Sequence, residues 1–214
     1  MSESEEETQE ATEESFGEWI TSPQMLVSLS AVLLSLCGLF VSLYETSIMR
    51  EEQYASVWPH VEIGPSVDGN DLSLAFRIQN TGVGPANIKA AYLEYNGEII
   101  NNWREIVERF TEDENYFTGS INLVNGSVLP PRSDQESIYA FDADTSSVQQ
   151  ELFYEMRNQV FEGNLNINIC YCSVYDQCWT ANMQNSLKRY RGEKALSKGD
   201  LKVQSCKDFP VSGI

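Results

Sequence analysis

The sequence predicts a mainly β protein: an N-terminal single transmembrane helix, then an antiparallel β-sandwich with two helical insertions. Three observations predict it. Residues 25–44 (MLVSLSAVLLSLCGLFVSLY) contain no charged side chain. Beyond residue 57, short runs of alternating apolar and polar residues recur between Gly, Pro and Asn turn signals. Two segments among those runs carry apolar residues at helical spacing instead.

The apolar run comes first. At about 1.5 Å per residue it reaches about 30 Å, the thickness of a bilayer's hydrocarbon core. A helix apolar on every face is rarely buried in a soluble domain of this size. A secretory signal is the rival reading. The segment before the run is acidic rather than basic, the run is longer than a usual h-region, and no A-x-A-like cleavage site follows. The expected organisation is an acidic, disordered tail (1–22), a transmembrane helix (23–46), a helical stalk (47–56), a β-sandwich domain (57–185) and a basic tail (186–214) with room for one last strand at Leu201 to Val203.

Residues 1–24 carry eight Glu and no Lys or Arg. Such a stretch buries too little surface to offset its ordering entropy. Trp19 then sits at headgroup depth, and Met25, Leu33, Phe40 and Tyr44 mark the anchor through the bilayer. Pro23 occupies a first-turn position where a missing N–H does no harm. Ser28, Ser30, Ser35, Ser42 and Gly38 give the helix small side chains. They form no GxxxG pair and so only a weak signal for a homo-oligomer.

In the domain, VWPHVEI reads as a first strand, with Pro59 placing it at an edge. DLSLAFRI sets Leu72, Leu74, Phe76 and Ile78 on one face. A turn, NTGVGPA, leads to the return strand ANIKAAYLEY, closed by Asn96-Gly97. Trp103, Ile106, Val107 and Phe110 predict an amphipathic helix. SINLV and ESIYAF follow as strands, separated by Pro130-Pro131. Val148, Leu152, Met156 and Val160 define a second helix, with Asp144 or Thr145 as its cap. NLNINICYCSVY is the strongest strand: Leu165, Ile167, Ile169 and Tyr171 point one way, Asn166, Asn168, Cys170 and Cys172 the other.

The segment LAFRIQNTGVGPANIKAAYLEYNG resembles the strand–turn–strand core of immunoglobulin-like modules of the CARDB and adhesion type. Those share an Asn-x-Gly-x-Gly-Pro-Ala turn, here Asn80, Gly82, Gly84, Pro85 and Ala86. The glycines suit a turn because they adopt φ > 0 at no steric cost. The whole chain is similar to a group of uncharacterised bacterial single-pass membrane proteins that join an apolar helix to Ser-Val-Trp-Pro, here Ser56 to Pro59, and then to this turn. The resemblance implies an immunoglobulin-like β-sandwich and no particular activity.

Composition narrows the function classes. With 32 acidic against 14 basic residues, the net charge of −18 disfavours nucleic acid as a partner. Half of the 14 basic residues fall between Lys188 and Lys207, so Lys188, Arg189, Arg191 and Lys194 offer a weak lipid-facing patch or a solvated tail. Cys170, Cys172, Cys178 and Cys206 leave three states open: a disulfide, free thiols in a core, or a metal site. A hairpin at Tyr175-Asp176-Gln177 allows a Cys172–Cys178 disulfide. The C-x-C-x5-C spacing is not that of a zinc knuckle. His60, the single histidine, has no nucleophile signature beside it. Asp68, Asn70 and Asp71, and Asp142 with Asp144, lack the Glu that closes a calcium loop.

Two cues bear on orientation and oppose each other. Arg50, the lone basic residue near the apolar run, favours a cytoplasmic domain. The sandwich class and the even cysteine count outside the run favour the oxidising side, and they are given the slightly greater weight. The reading is therefore a non-enzymatic domain tethered to the lipid bilayer that binds an unknown protein partner, with no cofactor. The alternatives are a redox or metal sensor using Cys170, Cys172 and Cys178, and a hydrolase built on His60.

Overall fold

The computed structural model describes residues 23–111, 119–143, 146–192 and 201–214, the side chain of Tyr190 excepted. Among these residues there are four helices and ten strands. The chain divides into two compact units, residues 1–53 and 54–214.

Helix α1 (Pro23–Ser56) is one uninterrupted element of 34 residues. It is long and apolar enough to cross a membrane by length and composition. The apolar residues Leu26, Leu33, Leu34, Phe40 and Tyr44 are all exposed.

The second unit holds two antiparallel sheets. Strands β1 (Val61–Asp68), β2 (Ser73–Asn80), β7 (Glu136–Asp142) and β5 (Ser120–Ile121) lie side by side in that order. The other sheet runs β10 (Leu201–Val203), β9 (Cys178–Asn182), β8 (Leu165–Cys172), β3 (Ala86–Tyr95) and β4 (Glu98–Ile100), with β6 (Val128–Leu129) also paired to β3. The remaining helices are α2 (Trp103–Phe110), α3 (Ser147–Glu162) and α4 (Met183–Tyr190).

One hydrophobic core draws on both sheets and on α2, α3 and α4. Leu74, Phe76 and Ile78 of β2 meet it, as their alternation predicts, and so do Leu165, Ile167, Ile169 and Tyr171 of β8. Trp103 stacks on Tyr139 at 4.6 Å and lies 4.9 Å from Phe76, which fixes α2 against the first sheet. Leu152, Met156 and Val160 hold α3 to the core, while Val148, expected on that face, is 44% exposed. Ser146 caps α3 by accepting from the Gln149 N–H; Asp144 and Thr145 lie outside the described residues. Gly163, in the left-handed region at φ 92°, ends that helix.

Four expectations need correction. The first strand begins at Val61, not Val57, because the Trp58 carbonyl accepts from Val83 and Gly84 and so is tied to the turn. β3 does not return beside β2: the two belong to different sheets, so the turn carries the chain across the core. SINLV forms only the two-residue β5. Among the described residues three helices accompany the sheets rather than two, because Asn182 caps α4 through the Asn185 N–H and Met183 and Leu187 reach the core.

Residues 201–214, assigned by pattern to a basic tail with a last strand at Leu201 to Val203, form that strand and run on against the second sheet. Leu201–Val203 pairs with β9, and Cys206 is bonded to Cys170. Ser212 donates its N–H to the Ala91 carbonyl, and its hydroxyl accepts from Leu93. These bonds occupy the edge of β3 between its pairings with β6 and β4. Ile214 is fully buried.

Candidate functional site

Two constellations carry the side chains singled out in the sequence. The first is sulfur. Because β-strand side chains alternate, Cys170 and Cys172 project from one face of β8, opposite the face that meets the main core. Cys178 sits directly across from Cys172 on β9, their Cα atoms 4.0 Å apart, and the two are disulfide-bonded. The turn between them closes with a Ser173 N–H to Gln177 carbonyl bond of 2.8 Å, and Asp176 takes φ 55°. Cys170 is bonded to Cys206, with Cα atoms 5.8 Å apart. All four cysteines are buried with Ala90, and Val203 and Phe209 lie over them. Cys37, in α1, is a free, exposed thiol.

The two crosslinks touch. The sulfur of Cys172 lies 3.7 Å from that of Cys206, and the sulfurs of Cys172, Cys178 and Cys206 are all within 4.8 Å of one another. Beside them is a hollow of about 250 Å³ lined by Tyr92, Asn168, Thr180, Asn182 and Phe209. Burial, and secondarily the negative charge of Glu94, raises the Tyr92 phenol above its usual range. Asn168 donates to Glu94 at 3.0 Å and accepts from Asn182 at 2.6 Å. Asn166 accepts from the Gln184 N–H, and Gln184 donates to the carbonyls of Val160 and Leu165. The polar face of β8 is therefore committed to joining β8, α3 and α4.

The second constellation is the turn after β2. Asn80 is fully buried. Its Oδ1 accepts from the N–H groups of His60 (3.2 Å) and Gly82 (3.0 Å). Its Nδ2 donates to the carbonyls of Gly84, Leu129 and Pro130. One side chain thus ties together backbone groups from three segments of the chain. Gly82 and Gly84 do not adopt positive φ, contrary to expectation. They are glycine because the backbone of residues 57–60 occupies the space a Cβ would need: at Gly82 that of Trp58 and His60, at Gly84 that of Val57. Pro85 follows, immediately before β3 begins at Ala86.

The remaining candidates fall into supporting roles. His60 faces the Glu62 carboxylate at 3.4 Å and the Trp58 ring at 5.5 Å. Asp68 accepts from the N–H groups of Asn70 and Asp71, an Asx-type turn. Asp142 pairs across from Ser73 at the end of β7. Arg191 donates to the Phe161 carbonyl and lies over its ring at 5.5 Å. Lys188 and Arg189 occupy the last turn of α4, where cations complement the helix dipole. Trp19 and Lys194 lie outside the described residues.

In α1, the hydroxyls of Ser28, Ser30 and Ser35 bond back to the carbonyls of Gln24, Val27 and Ala31, and the Ser42 carbonyl accepts from Thr46. Leu33, Phe40 and Tyr44 are exposed and Met25 is partly so.

Sequence reasoning missed Cys206 as the partner of Cys170, and it missed the Asn168–Glu94–Asn182 network. The even cysteine number was the one signal for the former. The Asn-x-Asn alternation of β8, odd for a solvent face followed by two cysteines, was the signal for the latter. Compared with known proteins, the chain matches no protein-family model and no curated protein.

Proposed function

We propose that this chain is a membrane-tethered, non-enzymatic β-sandwich of the immunoglobulin-like, CARDB/adhesion type that binds or assembles with another protein at the membrane. The observation that carries this reading is α1. Its residues 25–44 carry no charged side chain, and the hydroxyls of Ser28, Ser30 and Ser35 turn back onto their own helix, the arrangement a polar group needs where no water can serve it. Two sheets enclosing one core support the sandwich, and the crossing from β2 to β3 suits an immunoglobulin-like topology. The domain lies outside the cytoplasm in this reading, because buried cysteines joined in pairs persist in an oxidising compartment.

The surface offered to the partner is the edge strand β1. A groove of about 600 Å³ lies between it and α4, bordered by Glu62, Arg77, Gln79, Phe161 and Arg189. An extended segment added to such an edge gains main-chain hydrogen bonds, and the mixed charges along the groove select its side chains. Extraction in mild detergent followed by affinity capture and size analysis tests this. A stoichiometric partner that crosslinks to β1 is the expected result. A chain that remains monomeric and alone under the same extraction refutes it.

A second reading is favoured by one observation, the 3.7 Å contact between the two crosslinks. In it the domain senses redox state or metal through Cys170, Cys172 and Cys178. Counting reactive thiols in oxidising and reducing buffer tests it, and an unchanged number ends it.

A further inference from the structure

Four sulfurs from three separate stretches of chain converge on one face of the second sheet. Cys170 and Cys172 come from β8, Cys178 from β9, and Cys206 from the segment after β10. Two unrelated disulfides need only their own partners. Here the sulfur of Cys172 also approaches that of Cys206 to 3.7 Å, although no covalent bond joins them. In a zinc tetrathiolate with Zn–S bonds of about 2.3 Å, neighbouring sulfurs are separated by about 3.8 Å. One edge of that tetrahedron is already in place, and Cys178 lies within 4.8 Å of both its ends. Cys170 is bonded to Cys206 but stands outside that group of three, so its side chain has to turn inward on reduction to supply the fourth corner.

We propose that, once both disulfides are reduced, Cys170, Cys172, Cys178 and Cys206 form a closed tetrathiolate site for a borderline-soft divalent cation, Zn²⁺. The inference deepens the sensor reading by naming its ligand and its fourth side chain. It does not depend on the membrane tether. The four cysteines are between 0% and 9% exposed, so the coordination sphere excludes water, as structural zinc sites do. An all-sulfur donor set selects against Mg²⁺ and Ca²⁺, which take oxygen ligands.

The chemistry balances with a phosphine as reductant. Each disulfide consumes one phosphine and one water and gives one phosphine oxide and two thiols. Zn²⁺ then replaces four thiol protons, which pass to the buffer, and four Zn–S bonds form. The centre carries a net charge of −2. Metal affinity therefore rises with pH, because the ligands must lose their protons.

The test uses the full chain in detergent, reduced with phosphine under anaerobic conditions. It is titrated with Co²⁺ and then Zn²⁺ while thiols are counted in parallel. Reduction should expose four thiols beyond Cys37, two from each crosslink. One equivalent of Co²⁺ should then produce the visible bands and thiolate charge-transfer absorption of a tetrahedral site, and one equivalent of Zn²⁺ should bleach them. Cys206→Ser should weaken Co²⁺ binding by more than roughly tenfold, and Cys37→Ser should leave it unchanged. The wild-type titration decides the matter even if Cys206→Ser does not fold. Thiols that appear without metal uptake overturn the site while sparing redox sensing. Thiols that never appear overturn both. A cobalt spectrum abolished by Cys37→Ser overturns the ligand set.

Discussion

At Gly84 the atoms nearest to where a Cβ would stand belong to the backbone of Val57, which no rotamer change can move. Gly64, in the edge strand β1, has nothing within 4 Å of the same point. The pair therefore separates the cost of a collision from the general effect of replacing glycine. Gly84→Ala should lower stability by about 3 kcal/mol, as overpacking does, and Gly64→Ala should stay within about 0.5 kcal/mol of the parent. Denaturation of the purified chain in detergent, followed by tryptophan fluorescence, measures both. Equal stability of the two variants would contradict the close approach. The sequence marks these positions as glycine but attaches the wrong reason. Turn glycines usually signal positive φ, whereas here the constraint comes from residues 57–60, more than twenty positions upstream, whose path local pattern cannot reveal. Asn80 is similar. It is legible as a turn residue, but its five side-chain bonds to His60, Gly82, Gly84, Leu129 and Pro130 are set by tertiary structure.

Among elements, α2 shows how eight residues hold helical structure. Asn102 accepts from the Glu105 N–H at 3.1 Å, and Glu105 reaches back to the Asn101 N–H at 3.2 Å, a capping-box arrangement shifted by one residue. Arg109 adds a 3.0 Å contact to the same carboxylate one turn on. The Asn101 backbone bond first, then the Arg109 bond, lowers the Glu105 carboxyl below its usual range. A lowered folded pKa means the charged form is favoured by folding. That stabilisation is complete above the ordinary glutamate range and is lost as pH falls through the folded value. Glu105→Gln should therefore cost about 0.5 kcal/mol at neutral pH, and the difference should close as acid protonates the parent. Melting temperatures of both proteins across that range check it; a constant gap would be wrong. Elements with strong period were legible: α2, α3, β2 and β8 each show their core face in sequence. Those resting on non-local cover were not. α4 offers only Met183 and Leu187 at helical spacing, β5 and β6 are two residues each, and the second face of β8 is buried by residues 201–214 from beyond the next helix.

At the scale of the whole molecule, α1 decides where everything else operates. A helix this long and apolar near the N-terminus fits either a lasting anchor or a cleaved signal, and the two make opposite predictions about the mature chain. If α1 stays in lipid, the protein isolated from membranes retains residues 1–44 by intact mass and resists alkaline carbonate. Introducing charge should then undo the anchor. Leu33→Arg together with Leu36→Arg places two guanidinium groups near the middle of the apolar run, at about 2.5–3.5 kcal/mol each on insertion scales. That sum is large enough to shift the chain to the carbonate-soluble fraction. The second unit should keep its fold, because its core contains no residue of the apolar run. A mature chain that begins beyond Tyr44, or a parent released by carbonate as readily as the double variant, would remove the tether. On the proposed reading, the domain would then have to find a partner without being confined to a surface, and the groove beside β1 would have to supply all of the affinity by itself.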